Sequence, residues 1–229
     1  MPVQSIRSSL GKKAVMAISG LLFLGFVIGH LLGNLTIFMG PLAINHYAQK
    51  LRNLGPGLWI VRAGLLGVVV AHIVSSVLLI LENRKARPIA YVRKKTLGTT
   101  LAARTMMLSG LLLLAFIVFH LMHYTFRITH PEVSHLIDAE GHHDVYSMVV
   151  LSFQQLQISA VYLVAMLLLA MHLSHGISSV PQTLGLNNDR LIPVYKGIGY
   201  VVSVLIFIGY SIIPVAVVLG WVQTTGVAS

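Results

Sequence analysis

Five long apolar runs, separated by short polar connections, set the pattern of the chain. A helix needs about 20 apolar residues to cross the hydrocarbon core of a membrane, because each residue advances it by about 1.5 Å. Each run reaches that length, and the early part of the fourth (Gln154, Gln155, Gln157) is polar enough to be interfacial. The pattern predicts an all-α membrane protein whose spanning helices lie at about 14–39, 58–81, 105–126, 150–180 and 197–221.

The composition supports a lipid environment. Hydrophobic residues make up 56% of the 229 residues and charged residues only 10%, whereas soluble domains carry about 25%. Cysteine is absent from the sequence. That excludes disulfides, thiolate metal sites and iron–sulfur ligation by this chain. We expect no internal repeat and no soluble domain, so the whole chain is predicted to be one membrane domain.

Basic residues are unevenly distributed between the connections. Twelve of the sixteen Lys and Arg residues lie before the first helix, between the second and third, or between the fourth and fifth. The positive-inside rule therefore predicts a multi-pass protein of the cytoplasmic membrane with a cytoplasmic N-terminus. The net charge of +10 is then explained by membrane topology and by contact with anionic lipid, and not by binding of nucleic acid.

The connection 127–146 combines four histidines with four acids. We interpret it as a solvated cap on the outer face, with a zinc site as the alternative. Its members are His130, His135, His142, His143, Glu132, Asp138, Glu140 and Asp144.

Histidines occur inside four consecutive spans, where ionisable groups are costly and functional by default. They are His30, His72, His120 with His123, and His172 with His175. His30 lies 17 residues past Lys13 and His120 lies 16 residues past Arg104, so both are roughly 24–26 Å from the cytoplasmic side. His72 and His172 lie roughly 14–15 Å from that side. The depths predict two pairs, His30 with His120 and His72 with His172.

Paired imidazoles at one depth favour bis-histidine ligation of haem iron. Zinc prefers four ligands, and a proton relay would mix His with acids, which the span interiors lack. His123 and His175 lie one turn from the favoured ligands; either could replace its neighbour, or they are interfacial or haem-propionate contacts. Several basic residues flank the spans and serve topology or pair with propionates: Arg62, Arg104, Arg127, Arg190 and Lys196.

Small residues accompany the first histidine. Gly25, Gly29 and Gly33 recur every four residues around His30. They fit either close helix packing or clearance for a flat macrocycle.

With these residues in place, the whole chain resembles the single-polypeptide, two-haem cytochrome b anchor of succinate:quinone oxidoreductases and fumarate reductases. The order of four histidines over five helices carries the resemblance. The similar stretches are Ser8–Lys13, Gly29–Asn34, Ala71–Ser76, Phe119–Leu121, His172–Gly176 and Thr183–Leu186.

The resemblance implies that helices 1–4 form a bundle around two b haems. His30 and His120 would ligate the outer haem, and His72 and His172 the inner one. It further implies a flavoprotein subunit and an iron–sulfur subunit on the cytoplasmic face, and a quinone, expected to be menaquinone. A homo-oligomer of that complex is compatible with this expectation.

The quinone site is predicted at the outer end, between the first two helices. Some relatives place a carboxylate there, but residues 1–81 hold no acid. The polar candidates are His46, Tyr47, Gln49 and Asn53.

Two other functions fit parts of the pattern. The first is a cytochrome b anchor for another membrane dehydrogenase, such as a formate or hydrogen enzyme. The second is a haem-free transporter, which predicts internal repeats, broken helices or intramembrane acids.

Overall fold

The computed structural model describes residues 8–86, 100–186 and 188–224, and the secondary structure elements in these residues are helices. In chain order they are α1 (Ser9–Leu35), α2 (Pro41–Arg52), α3 (Pro56–Lys85), α4 (Leu101–Arg104), α5 (Met106–His120), α6 (Pro131–Ser134), α7 (Val145–Gln154), α8 (Leu156–Thr183) and α9 (Ile192–Val218). A 3₁₀ turn (Thr36–Met39) extends α1, and a π turn (Leu121–Thr125) extends α5. Within these residues, five helices are long and apolar enough to span a membrane, namely α1, α3, α5, α8 and α9. The predicted count of five spanning helices is confirmed.

The basic connection used to predict the orientation lies partly outside the described residues. Arg7 precedes them, and the gap 87–99 contains Arg87, Arg93, Lys94 and Lys95. The cytoplasmic position of the N-terminus therefore stays a prediction.

Local sequence signals fix the ends of the first helices. The Ser8 side chain caps α1 by accepting a hydrogen bond from the Gly11 amide at 3.1 Å. Gly40, with φ of 99°, turns the chain into Pro41, the first residue of α2. Gly55, with φ of 52°, does the same before Pro56 of α3. Positive φ suits glycine, and proline is favoured at the first helical position, so each pair starts a new helix sharply.

The fourth apolar run forms two helices instead of one. Gln155 adopts an extended backbone conformation between α7 and α8. The Ser159 hydroxyl donates to the Phe153 carbonyl at 2.6 Å across this break and so satisfies one of the acceptors left free there. The polar residues expected at an interface therefore mark a break, and the spanning part, Leu156–Thr183, begins after it.

The spanning helices form a ring around the histidines. α3 packs along α1, α1 also contacts α8, and α5 packs on α8, while α9 covers α8 and α1 from outside. An ion pair between Lys12 and Glu82 joins the start of α1 to the end of α3, so these two helices are antiparallel. The order around the ring is α3–α1–α8–α5, which makes α1 and α5 one diagonal and α3 and α8 the other.

The two ends of the bundle differ. The basic end holds the start of α1 and the end of α3. The cap end holds α2, α6, α7 and the connection 126–144. The larger apolar cluster lies at the cap end, where buried residues of α7 such as Val150 and Phe153 meet Ile213 and Ala216 of α9. A smaller cluster of Val27, Leu31 and Ile206 joins α1 to α9.

Candidate functional site

Two pairs of histidine rings meet inside the ring of helices. The ring centroids of His30 and His120 are 5.8 Å apart, with the planes at 82°. Those of His72 and His172 are 6.4 Å apart, with the planes at 64°. Each pair spans one diagonal, His30–His120 from α1 to α5 and His72–His172 from α3 to α8. The structure thus brings together the same partners that the depth argument paired.

The ring separations match what a shared metal ion requires. Two imidazoles on opposite sides of one ion place their ring centroids about 6 Å apart, because each metal–nitrogen bond is about 2 Å and each ring centre lies about 1 Å beyond its nitrogen. Both observed separations lie close to this value. Among the described residues no three or more His, Asp or Glu side chains converge on one point. Each pair could therefore supply two imidazole nitrogens to hold a haem iron, which would not need further protein ligands.

Hydrogen bonds orient the ring of His72. Its Nδ1 atom lies 3.1 Å from the Met16 carbonyl oxygen and 3.4 Å from Oγ of Ser19, both on α1. A carbonyl can only accept, so Nδ1 carries the proton and donates it. The lone pair is then on Nε2. A ring whose other nitrogen donates to a carbonyl or oxygen partner is the usual arrangement of a metal-binding histidine.

His172 has a corresponding partner on α5. Its Nδ1 atom lies 3.1 Å from Oγ of Ser109, and the Ser109 hydroxyl is 3.2 Å from the Met106 carbonyl. A serine hydroxyl that donates to its own helix keeps lone pairs to accept the imidazole N–H. Ser19 does the same, since its hydroxyl donates to the Val15 carbonyl at 2.6 Å. His72 and His172 are thus each held by a serine of a neighbouring helix, namely Ser19 of α1 and Ser109 of α5.

Glycines give the inner rings room beside these serines. A Cβ atom on Gly20 would lie 3.2 Å from Cε1 of His72, and one on Gly110 would lie 3.4 Å from Cε1 of His172. The first distance is tighter than ordinary van der Waals contact. The absence of a side chain at Gly20 and Gly110 therefore lets His72 and His172 lie against the neighbouring helices.

Tyr162 of α8 contacts His120, one member of the pair His30–His120. The Tyr162 hydroxyl lies 3.3 Å from Nδ1 of His120 and 3.0 Å from Nδ1 of His123. The other ring nitrogen of His123 lies 3.2 Å from Oγ of Ser152, and the His123 side chain is fully buried. Both nitrogens of His123 are therefore engaged by protein groups, whereas Nε2 of His120 makes no hydrogen bond within the described part of the chain. This arrangement favours His120 as the ligand.

The glycines around His30 have different surroundings. A Cβ on Gly25 or Gly29 would meet no atom within 4 Å, whereas one on Gly33 would overlap the phenol ring of Tyr47. Close helix packing thus explains Gly33 alone. Gly25 and Gly29 leave open space on the same helix as His30.

The four quinone candidates lie on and just after α2 and have other partners. Nε2 of His46 is 2.8 Å from Oε2 of Glu140, and the Gln49 amide donates to Oδ1 of Asn53 at 2.9 Å. Tyr47 packs on Gly33. None of the four lines either of the two cavities found at the cap end.

The connection at the cap end is a network of short contacts. His130 pairs with Glu132 at 3.0 Å, and Nε2 of His143 accepts a hydrogen bond from Arg127 at 3.3 Å. The side chain of Asn45 on α2 lies within 3.2 Å of both Asp138 and Asp144. Carboxylates from this connection therefore lie against α2, although residues 1–81 contain no acid themselves.

The serine and glycine partners were not predicted from the sequence, although a signal for them exists. Residues 16–31 and 106–121 are identical at nine of sixteen positions. The shared residues include Ser-Gly at 19–20 and 109–110 and the histidine eleven residues after each serine. The expectation that the chain contains no internal repeat was therefore wrong at the level of single helices. Each copy supplies one outer histidine and the supports of one inner histidine.

Comparisons with protein-family models, with curated proteins and with solved structures found no match for this chain.

Proposed function

We propose that the chain is the membrane-anchor subunit of a succinate:quinone oxidoreductase, a cytochrome b that holds two haems. The observation that carries the proposal is the pair of diagonal histidine contacts, at 5.8 and 6.4 Å between ring centroids. His30 and His120 would hold the outer haem, and His72 and His172 the inner one.

The residues around the pairs fit such a group. Nε2 of His72 is free to bind because Nδ1 donates to Met16. Gly25 and Gly29 leave space beside His30, and the aromatic rings of Phe26 and Phe116 stack or tilt against the outer histidines. Bound haem would supply one-electron transfer between an iron–sulfur partner and a quinone. The chain itself would set the position, burial and hydrogen bonding of its axial ligands.

The proposed partners follow from the resemblance and the predicted orientation. A flavoprotein carrying the dicarboxylate site and an iron–sulfur subunit would dock at the basic end, nearest the inner pair. The quinone, menaquinone in our proposal, would bind near the outer pair at the cap end. The candidates His46, Tyr47, Gln49 and Asn53 stay predictions for that site.

Purification of the tagged chain from its native membrane tests this function. We expect a flavoprotein and an iron–sulfur protein to co-purify, and succinate to reduce b-type haem in the complex. Haem together with a formate or hydrogen enzyme would instead assign the chain to another dehydrogenase. A complex without b-type absorbance would favour the haem-free transporter.

A further inference from the structure

Three arginines converge at the end of the bundle where the chain places few basic residues. Only four of the sixteen Lys and Arg residues belong to this side. Arg52 at the end of α2, Arg62 in α3 and Arg127 after the π turn all line one cavity of about 660 Å³. We call this cavity the arginine pocket; no carboxylate is among its lining residues. Three cations from three separate segments thus share one space.

The acids at the cap end do not neutralise these arginines. Glu132 pairs with His130, and Glu140 pairs with His46. Asp138 and Asp144 accept hydrogen bonds from Asn45. In the described ranges 8–86, 100–186 and 188–224, no acid lies within ion-pair distance of Arg52, Arg62 or Arg127.

The arginines are held in position by their surroundings. The guanidinium of Arg62 lies over the Trp59 ring at 5.0 Å from its centroid, which is a cation–π contact. Arg127 donates to the Ser134 carbonyl at 3.3 Å and has a φ of 59°, unusual for a residue other than glycine. Burial, and then the charges of Arg127 and Arg62, lower the pKa of Arg52. The three guanidinium groups repel one another, and an anion bound among them would relieve that repulsion.

We propose that the arginine pocket binds the phosphate of an anionic membrane phospholipid. A guanidinium offers a planar pair of donors that matches phosphate oxygens, so arginine is favoured where phosphate is recognised. The pocket opens beside exposed apolar side chains, since Leu54, Trp59 and Ile60 are 53%, 68% and 74% exposed. Tryptophan at the end of a spanning helix is typical of the headgroup level of a membrane. These neighbours favour a ligand with acyl chains over a soluble anion.

Lipid competition on the purified full-length protein, in its complex, tests the proposal. The protein is delipidated in detergent, offered phosphatidylglycerol or phosphatidylcholine, and analysed for retained lipid by native mass spectrometry. We expect the wild type to prefer phosphatidylglycerol. Arg52→Gln and Arg62→Gln should each weaken that preference about fivefold, as expected for about 1 kcal/mol per basic residue near an anionic headgroup. Arg62→Lys, which keeps the charge but not the planar pair of donors, should weaken it less than Arg62→Gln does.

Arg84→Gln is the matched control, because Arg84 lies at the basic end of the same helix as Arg62 and contacts the Met107 sulfur. Equal retention of the two lipids by the wild type would overturn the proposal. So would an equal loss of preference in Arg84→Gln. Stabilisation by inorganic phosphate without a preference for phosphatidylglycerol would assign the pocket to a soluble anion. Haem absorbance is recorded in the same samples, so failure of the proposed function is seen separately. Loss of preference only in samples that lose haem would assign the arginines to haem carboxylates.

Discussion

Ser109 lies on α5 with its Oγ atom 3.1 Å from Nδ1 of His172 on α8. This contact joins the third and fourth spans at the depth of the inner histidine pair. A histidine that ligates a metal through one nitrogen is oriented by the hydrogen bond of the other, which also raises its basicity as a ligand. Ser109 would therefore be a positioning residue for His172 in the proposed haem site.

Removal of that hydroxyl should change the redox behaviour of one haem. In Ser109→Ala a haem-ligating His172 would become less basic, which would destabilise the oxidised iron of the proposed haem and raise its midpoint potential. We expect the ratio of reduced to oxidised inner haem at a fixed potential to change about tenfold, equal to about 59 mV for one electron. Potentiometric titration of the b-type absorbance measures this shift.

Ser203→Ala is the control for that experiment, because the Ser203 hydroxyl bonds its own helix at Gly199. The midpoint potential of the second haem should be unchanged in both variants. Equal shifts of both haems in Ser109→Ala, or an equal shift in Ser203→Ala, would contradict the assigned role.

Gly20 should not tolerate a larger side chain if His72 ligates the inner haem. A Cβ atom there would already approach the His72 ring to 3.2 Å, so Gly20→Leu must displace the ring. We expect haem content to fall from two to one per chain. Gly64→Leu on α3, where a Cβ meets nothing within 4 Å, serves as the control. Two retained haems in Gly20→Leu would show that the contact is not needed.

Hydropathy was sufficient to predict the five spanning helices, because length and apolar composition determine which segments cross a membrane. It could not locate the break at Gln155, since three nearby glutamines are equally consistent with an interfacial helix. Helical rise placed His30 level with His120, and the fold brings their rings together. Rise says nothing about neighbours around the ring, however. The contact of Ser19 with His72 depends on which helices pack side by side.

Contacts between residues far apart in the sequence explain why other features were not predicted. The partner of His46 is Glu140, from a connection that follows the third span, so no local pattern in residues 1–81 could indicate it. The role of Tyr162 was also not predicted. A single tyrosine in an apolar helix carries no periodic signal, although its hydroxyl contacts both His120 and His123.

His123 should contribute to stability and not to iron ligation. His123→Ala would remove the hydrogen bonds of His123 with Tyr162 and Ser152, at a cost of about 1 kcal/mol each. We expect a lower unfolding temperature in detergent and two haems per chain. His120→Ala should instead remove the outer haem. If His123→Ala loses a haem that His120→Ala retains, the assignment of these two histidines must be exchanged.

The cap end should lose stability in mild acid. Burial lowers the pKa of His143, the Leu136 carbonyl opposes that shift, and Arg52 and Arg127 add to it. An unfolded histidine titrates near about 6.5, so below that pH the unfolded chain binds a proton that the folded chain excludes. Stability is complete above that pH and falls as the pH drops towards the lower folded pKa.

Thermal unfolding at pH 7.5 and pH 5 measures this effect. His143→Gln should show a smaller difference between the two pH values than the wild type. His135→Gln, at an exposed position in the same connection, should behave like the wild type. An unchanged difference in His143→Gln would contradict the role given to this histidine.

Haem content per chain, measured on the wild type and on five single-histidine variants, tests the central claim most directly. The purified protein should contain two b haems. His30→Ala and His120→Ala should each retain the same, inner haem, and His72→Ala and His172→Ala should each retain the outer one. His175→Ala should keep both haems. A wild type with one haem or none, or variants that lose haem in other pairings, would contradict the account.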